Sequence, residues 1–288
     1  MTGPLRTAVL TAFAMLAFAG NSIICRLALR EQTIDPASFT AVRLTSGALA
    51  LALVVGLSRR EKKQRNGGGW FSALALFLYA AFFSWAYVSL DAASGALILF
   101  GFVQVTMIGA ALAAGDRPGG FEWAGWLLAA SGLALLLLPG AETPSPAGAA
   151  LMALAGAAWG VYSIRGRRAA DPLLATTGNF ARSLLFVAAL AALALAVGGT
   201  RWSLDGILLA VLSGALTSGL GYVLWYAALN VLSSMQAALV QLSVPAIAAA
   251  GGVLLLAEPL PLRLVVCGTM IIGGICLALV RKTRRLPP

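Results

Sequence analysis

AAFFSWAYVSLDAASGALILFGFVQVTMIGAALAAGDRP, residues 80–118, aligns without a gap on YVLWYAALNVLSSMQAALVQLSVPAIAAAGGVLLLAEPL, residues 222–260. The shift is 142 residues, so that Ala86 meets Ala228, Ala96 meets Ala238, Leu97 meets Leu239 and Asp116 meets Glu258. Beyond the stretch, Gly132 meets Gly274. Upstream, Asp35-Pro36 and Asp171-Pro172 each follow a Gly- and Ala-rich stretch that ends in arginines. The chain reads as one unit written twice, with halves 1–140 and 141–288.

The composition says what kind of unit this is. Of 288 residues, 60% are hydrophobic and 10% charged, and the mean hydropathy is +0.91. Soluble domains carry about 25% charged residues, and this chain has too little polar sequence to cover a soluble core. A membrane helix needs about 20 mainly apolar residues. Ten such spans are predicted, at 7–27, 38–57, 71–90, 93–114, 121–139, 147–165, 174–197, 205–228, 234–256 and 262–280, the ninth containing Pro245. Five spans per half is an odd number, so the second half enters the bilayer from the opposite side. The expected fold is an all-α integral membrane protein of ten helices, two inverted five-helix repeats around a central cavity. Such folds place a binding site near the midplane and expose it alternately to the two sides.

The net charge of +10 would suggest nucleic acid in a soluble protein. Its placement gives another answer. Arg6, Arg59, Arg60, Lys62, Lys63, Arg65, Arg117, Arg165, Arg167, Arg168, Arg281, Lys282, Arg284 and Arg285 fall on one side of the ten spans. Arg26, Arg30, Arg201 and Arg263 fall on the other, and Arg43 and Arg182 lie within spans. The bias places both termini in the cytoplasm, in a multi-pass protein of the plasma (inner) membrane with lipid, not nucleic acid, as its surroundings. Ala17-Phe18-Ala19 resembles a signal-peptidase site, but the apolar run continues to Ile24, so the first helix is expected to stay uncleaved. The three cysteines, Cys25, Cys267 and Cys276, are odd in number and match no zinc spacing. They read as small core hydrophobes.

The chain resembles the drug/metabolite transporter superfamily, in its EamA-type ten-helix branch. The resemblance rests on AFAGNSIICRLALRE at 17–31, DPASFTAVRLTSGALALAL at 35–53, ALAGAAWGVYSIRGRR at 153–168 and YAALNVLSSMQAALVQLSVPAIAAAGGVLLLAEPL at 226–260. In the first half, Val103 stands where Pro245 would lead one to expect proline, and Asp116 stands for the usual glutamate. Within the superfamily the chain is similar to YddG-type exporters of aromatic amino acids. That implies export through a central cavity, without catalysis or a cofactor.

Candidate site residues are polar or aromatic side chains deep in spans. Asn21 (with Ser22), Gln104, Asn179 and Gln241 (with Ser243) suit a neutral or zwitterionic solute, and Ser163 joins them in the sixth span. Each can equally serve in hydrogen bonds between helices. Tyr79, Phe83, Trp159 and Trp225 offer ring faces, either to a substrate or to packing. Arg182, eleven residues past Asp171, is the deeper of the two intramembrane arginines and a candidate for a substrate carboxylate. Arg43, eight past Asp35, reads as a structural or snorkelling residue.

All ten acidic residues fall at span ends or in loops, and there is no histidine. A proton relay has no candidate, so transport is expected to run down the substrate gradient. Amino acids are the expected substrates and a monomer the expected unit. Lipophilic cations or drugs and nucleotide-type metabolites are alternatives. A membrane-embedded lipid-modifying enzyme is disfavoured, because it would need an acid, base or nucleophile in the spans. Single cysteines introduced at Thr2 and Pro287 should both label from the cytoplasmic face. Labelling on opposite faces would remove the even span count.

Overall fold

The computed structural model describes residues 3–58, 67–115, 117, 119–138, 143–166, 169–229, 231–232 and 240–283. The described residues form ten helices. They are α1 (Gly3–Arg30), α2 (Pro36–Leu57), α3 (Trp70–Ala86), α4 (Ala92–Ala113), α5 (Gly120–Leu137), α6 (Pro146–Gly166), α7 (Pro172–Val197), α8 (Leu204–Leu229), α9 (Ser243–Leu256) and α10 (Leu262–Thr283). Seven are long and apolar enough to cross a membrane, and α3, α9 and α10 are shorter apolar helices. Of the features read from the sequence, the basic residues 59–65, Asp116, Arg167, Arg168, Arg284, Arg285 and the start of the ninth span at 234–239 lie outside the described residues.

Repeated sequence signals start repeated helices. Asp35 and Asp171 occupy the N-cap positions of α2 and α7, each followed by proline at the first helical position. Their carboxylates accept from Ser38 N at 2.9 Å and Leu174 N at 3.0 Å. The cap satisfies an amide that the helix leaves orphaned, and proline lacks an amide that would be unpaired there anyway. Pro245 turns out to lie in the first turn of α9. The chain turns at Leu242, so the expected continuous ninth span is interrupted there.

The packing reveals the symmetry. Helix α5 packs on α10, α2 on α7, and α4 on α9, each helix against its own repeat mate. The remaining main contacts come in exchanged pairs: α3–α6 with α1–α8, α4–α6 with α1–α9, and α2–α8 with α3–α7. Advancing every label by five maps this set onto itself. The mates run in opposite directions, because Gly125 of α5 lies at Gly274 and Ala278 of α10 while Gly132 lies at Cys267 and Met270. Two antiparallel mates require a two-fold axis across the helices, which is the inverted arrangement.

Backbone touches backbone along the α5–α10 seam. A Cβ on Gly274 would sit 2.5 Å from the Gly125 carbonyl oxygen, and one on Gly125 would sit 2.5 Å from that of Gly274. In lipid this contact holds the helices together, because apolar side chains gain little by leaving an equally apolar solvent. The neighbouring Gly273 points away, with nothing within 4 Å of its Cβ position. Gly274→Ala should therefore lower the unfolding temperature in detergent, by overpacking worth about 1–3 kcal/mol. Gly273→Ala should leave it unchanged or raise it, and equal losses at both positions would refute the seam.

Candidate functional site

A small cavity of about 20 Å³ lies where the halves meet, with room for roughly one water. The first half lines it with Phe18, Asn21 and Ser22 of α1, Arg43 of α2, Tyr79 and Phe83 of α3, and Leu99 and Phe100 of α4. The second half contributes Trp159 of α6 and Thr217, Ser218 and Tyr222 of α8.

The α8 contribution depends on a local irregularity. Residues Leu212–Leu220 wind as a π-helix within α8. An α-helix puts residues four apart on one face. The wider turn also brings Ser218 round beside Thr217, and both are buried at the cavity. Such insertions are rare and tend to occur at functional sites. Gly214 lets this segment lie directly on α2, since a side chain there would collide with the Arg43 carbonyl and Ser46 Oγ.

One wall is aromatic. The Trp159 indole lies 4.8 Å from the Tyr79 ring, 5.3 Å from Tyr222, 5.5 Å from Tyr162 and 6.4 Å from Phe18, measured between centroids. Polar groups adjoin it. Asn21 Oδ1 accepts from Ser213 Oγ at 2.7 Å and Thr217 Oγ1 at 3.2 Å, which turns its amide nitrogen toward the Tyr79 hydroxyl, 3.5 Å away. Arg43 is 2% exposed. Its Nε donates to Ser218 Oγ at 3.3 Å and its Nη2 to the Tyr79 hydroxyl at 3.1 Å.

Of the residues singled out from sequence, Asn21, Tyr79, Phe83 and Trp159 line the cavity. Trp225 stands behind it, 5.9 Å from the Phe18 ring. Gln104 is buried outside the cavity lining with its amide nitrogen unpartnered, and Gln241 is buried near the start of α9. Ser163 is half-buried on α6. Asn179 accepts from Gly69 N at 2.9 Å. Arg182 donates to the carbonyls of Gly67 at 2.8 Å and Gly178 at 3.0 Å. The two intramembrane arginines thus take places opposite to those read from the sequence: Arg182 ties a loop to α7, and Arg43 faces the cavity. Phe18, Thr217 and Ser218 were not singled out. A π-turn has no sequence signature, and Phe18 looks like any other apolar residue of α1.

Polar contacts between the halves close both ends of the bundle. At the Asp35 end, Asp35 N donates to Arg201 O and Ser203 N to Thr33 O, both at 2.8 Å. Arg201 N donates to Asp35 Oδ2 at 2.8 Å. Partial burial pushes the Asp35 carboxyl up, but the hydrogen bonds from Ser38, Arg201 and Ala37 outweigh it and hold the pKa below its usual range. The stabilisation is therefore present at neutral pH and is lost as pH falls through that lowered value. Beside this pairing, Arg26 bridges Glu258 at 2.8 Å and Asp91 at 3.1 Å, and also donates to the Tyr87 carbonyl at 3.0 Å. Ala257, left-handed at φ 51°, turns the chain so that Glu258 reaches back. The second Glu258 oxygen accepts from Ala92 N at 2.8 Å, so a second-half carboxylate caps first-half helix α4. At the Asp171 end, Arg165 donates to Ser72 at 2.9 Å, and Asn179 and Arg182 hold Gly69 and Gly67 as described above. No cluster that could hold a metal ion occurs among the described residues.

Comparison with known proteins gives three findings. The model of a family described as "EamA-like transporter family" matches residues 5–138 and again 146–280. An uncharacterized protein of Pseudomonas aeruginosa is 54% identical over 280 residues, covering 97% of this chain and 96% of its own. A solved crystal structure superposes with a TM-score of 0.66 at 20% identity, covering 96% of this chain and 98% of that one, a likeness of fold.

The Asp35 end yields a graded expectation. Side-chain exposure is 5% for Glu258, 11% for Arg26 and 42% for Asp91. Breaking a buried pair costs roughly 3–5 kcal/mol, and an exposed one about 0–1. Glu258→Gln should fall near the lower end of the buried range, because Arg26 keeps Asp91. Asp91→Asn should barely shift the unfolding temperature. A larger loss for Asp91→Asn would show that the ranking by burial is wrong.

Proposed function

Because the chain belongs to the EamA-like transporter family, whose members are membrane transporters and not enzymes, we propose that it exports small metabolites, namely amino acids, aromatic or otherwise neutral, by alternating access. The observation that carries this reading is the position of the cavity: both inverted halves line it, and each end of the bundle is tied by bonds between those same halves. Rocking one half against the other breaks one set of ties while the other persists, which exposes the cavity to one side at a time. At about 20 Å³ the cavity is too small for an amino acid, so loading has to spread its walls.

The wall chemistry supports a substrate with an aromatic or apolar body. Trp159 and the rings around it offer faces for stacking. A lipophilic cation fits less well, because Arg43 already lies 5.2 Å from the Tyr79 ring centroid and 5.0 Å from that of Phe83, and its charge repels a second cation. The described acidic residues sit at helix ends or in the connections, as with Glu122 in the first turn of α5 and Asp205 in that of α8. With no mid-helix carboxylate among them, the substrate moves down its own gradient. The protein works as a monomer in the inner membrane with both termini in the cytoplasm. Aromatic specificity of the YddG type is the finer form of this reading.

Reconstituted protein should release radiolabelled phenylalanine from liposomes with or without a proton gradient. Trp159→Ala should lower that flux about two- to tenfold, the equivalent of losing aromatic contacts worth roughly 0.5–1.5 kcal/mol. Trp126→Ala, which alters a tryptophan pair on α5 away from the cavity, should leave it unchanged at equal expression. Equal effects would return Trp159 to packing, and strict dependence on a proton gradient would overturn the uncoupled mechanism.

A further inference from the structure

We infer that Arg43 is an anion-binding residue and that the transported solute carries a carboxylate which docks on it. The inference rests on the transport reading and narrows its substrate class. Arg43 sits seven residues into α2, roughly 10 Å from its start, where a bilayer gives little access to water. A cation buried at that depth needs an anion or a full set of hydrogen bonds. The two ion pairs among the described residues both belong to Arg26. Among the described residues Arg43 finds only neutral partners, the Ser218 and Tyr79 hydroxyls and two ring faces. Its Nη1 is buried without a hydrogen-bond partner among the described residues, in a side chain that lines the cavity.

The groups around Arg43 are also short of acceptors. The Tyr79 hydroxyl accepts from Arg43 Nη2 and, more weakly, from the Asn21 amide, so its own proton is available to donate. The Asn21 carbonyl oxygen is already taken by Ser213 and Thr217. Besides the Ser22, Thr217 and Ser218 hydroxyls, which can donate or accept, what faces the cavity is a guanidinium N–H, a phenol O–H and an amide N–H, with no carboxylate among the lining residues. That set complements an oxyanion, and a planar guanidinium matches a carboxylate well. The Trp159 and Tyr222 rings then face the body of the solute.

A scaffolding role would not explain this arrangement. The repeat equivalent of Arg43 is Asn179, eight residues past Asp171 as Arg43 is past Asp35. Asn179 is neutral and hydrogen-bonded to the backbone. Arg182, the other intramembrane arginine, is occupied by two carbonyls. The second half thus builds this position without a buried charge, whereas the first half places there a guanidinium with an N–H unpartnered among the described residues.

The experiment uses matched probe sets against purified wild-type protein in liposomes. One set is phenylalanine, 3-phenylpropionate, which lacks the ammonium, and 2-phenylethylamine, which lacks the carboxylate. The second is leucine, 4-methylpentanoate and 3-methylbutylamine. The acids should compete for flux or raise the unfolding temperature, and the amines should do so at least about tenfold more weakly, one lost charge-assisted contact. Arg43→Gln should abolish that preference, and Arg43→Lys should restore part of it. The wild-type comparison stands even if a variant does not fold. Amines that act as well as acids, or a folded Arg43→Gln protein that still prefers acids, would overturn the anion site and leave transport standing. If none of the six probes moves or binds, the amino-acid reading falls and the anion site falls with it.

Discussion

Close contact between helix backbones is the interaction on which the rest of this molecule depends. In water, a helix bundle is held by removing apolar side chains from solvent. In lipid that gain is small, and van der Waals contact between backbones takes over. The glycines of α5 and α10 meet carbonyl to α-carbon across an antiparallel seam. Gly156 meets the Leu99 carbonyl in the same way between α6 and α4. These contacts join helices in pairs and leave the centre of the bundle, between the pairs, to a different set of residues.

At that centre the balance of forces changes. The low dielectric that makes an ionic contact strong also makes an unpaired charge costly. The molecule uses both consequences. Arg26, Glu258 and the amide of Ala92 form a satisfied network that joins the two halves at the Asp35 end. Arg43, one helix away, is left with a donor that no group among the described residues accepts. A purely structural position would have no need of such a group, and the proposed docking of a solute carboxylate gives it a use. The aromatic wall beside it offers contact area without adding charge.

Much of this was legible in the amino-acid order. Asp35-Pro36 and Asp171-Pro172 announced the starts of α2 and α7, because caps and prolines act through their immediate neighbours. The 142-residue shift announced the repeat, and the inversion that an odd number of spans imposes fits the packing of α2, α4 and α5 on their mates α7, α9 and α10. Glu258 stood out as the acidic close of a span, although its partners Arg26 and Ala92 lie more than 160 positions away. Asn21, Tyr79, Phe83 and Trp159 were visible as polar or aromatic residues at mid-span, and all four line the cavity.

The choice between the two arginines was not legible. Arg182 lies about one helical turn deeper than Arg43 in the equivalent helix, but depth measured along a sequence says nothing about rotation around the helix axis relative to distant neighbours. Arg182 meets Gly67 because a loop folds over α7, whereas Arg43 meets the cavity because the π-turn of α8 and the bare Gly214 bring Ser218 against it. Span count, polarity and duplication are sums over local residues, so the chain carries them wherever it is read. The facing of a single side chain is a relation between segments far apart in sequence, and only the packed bundle sets it.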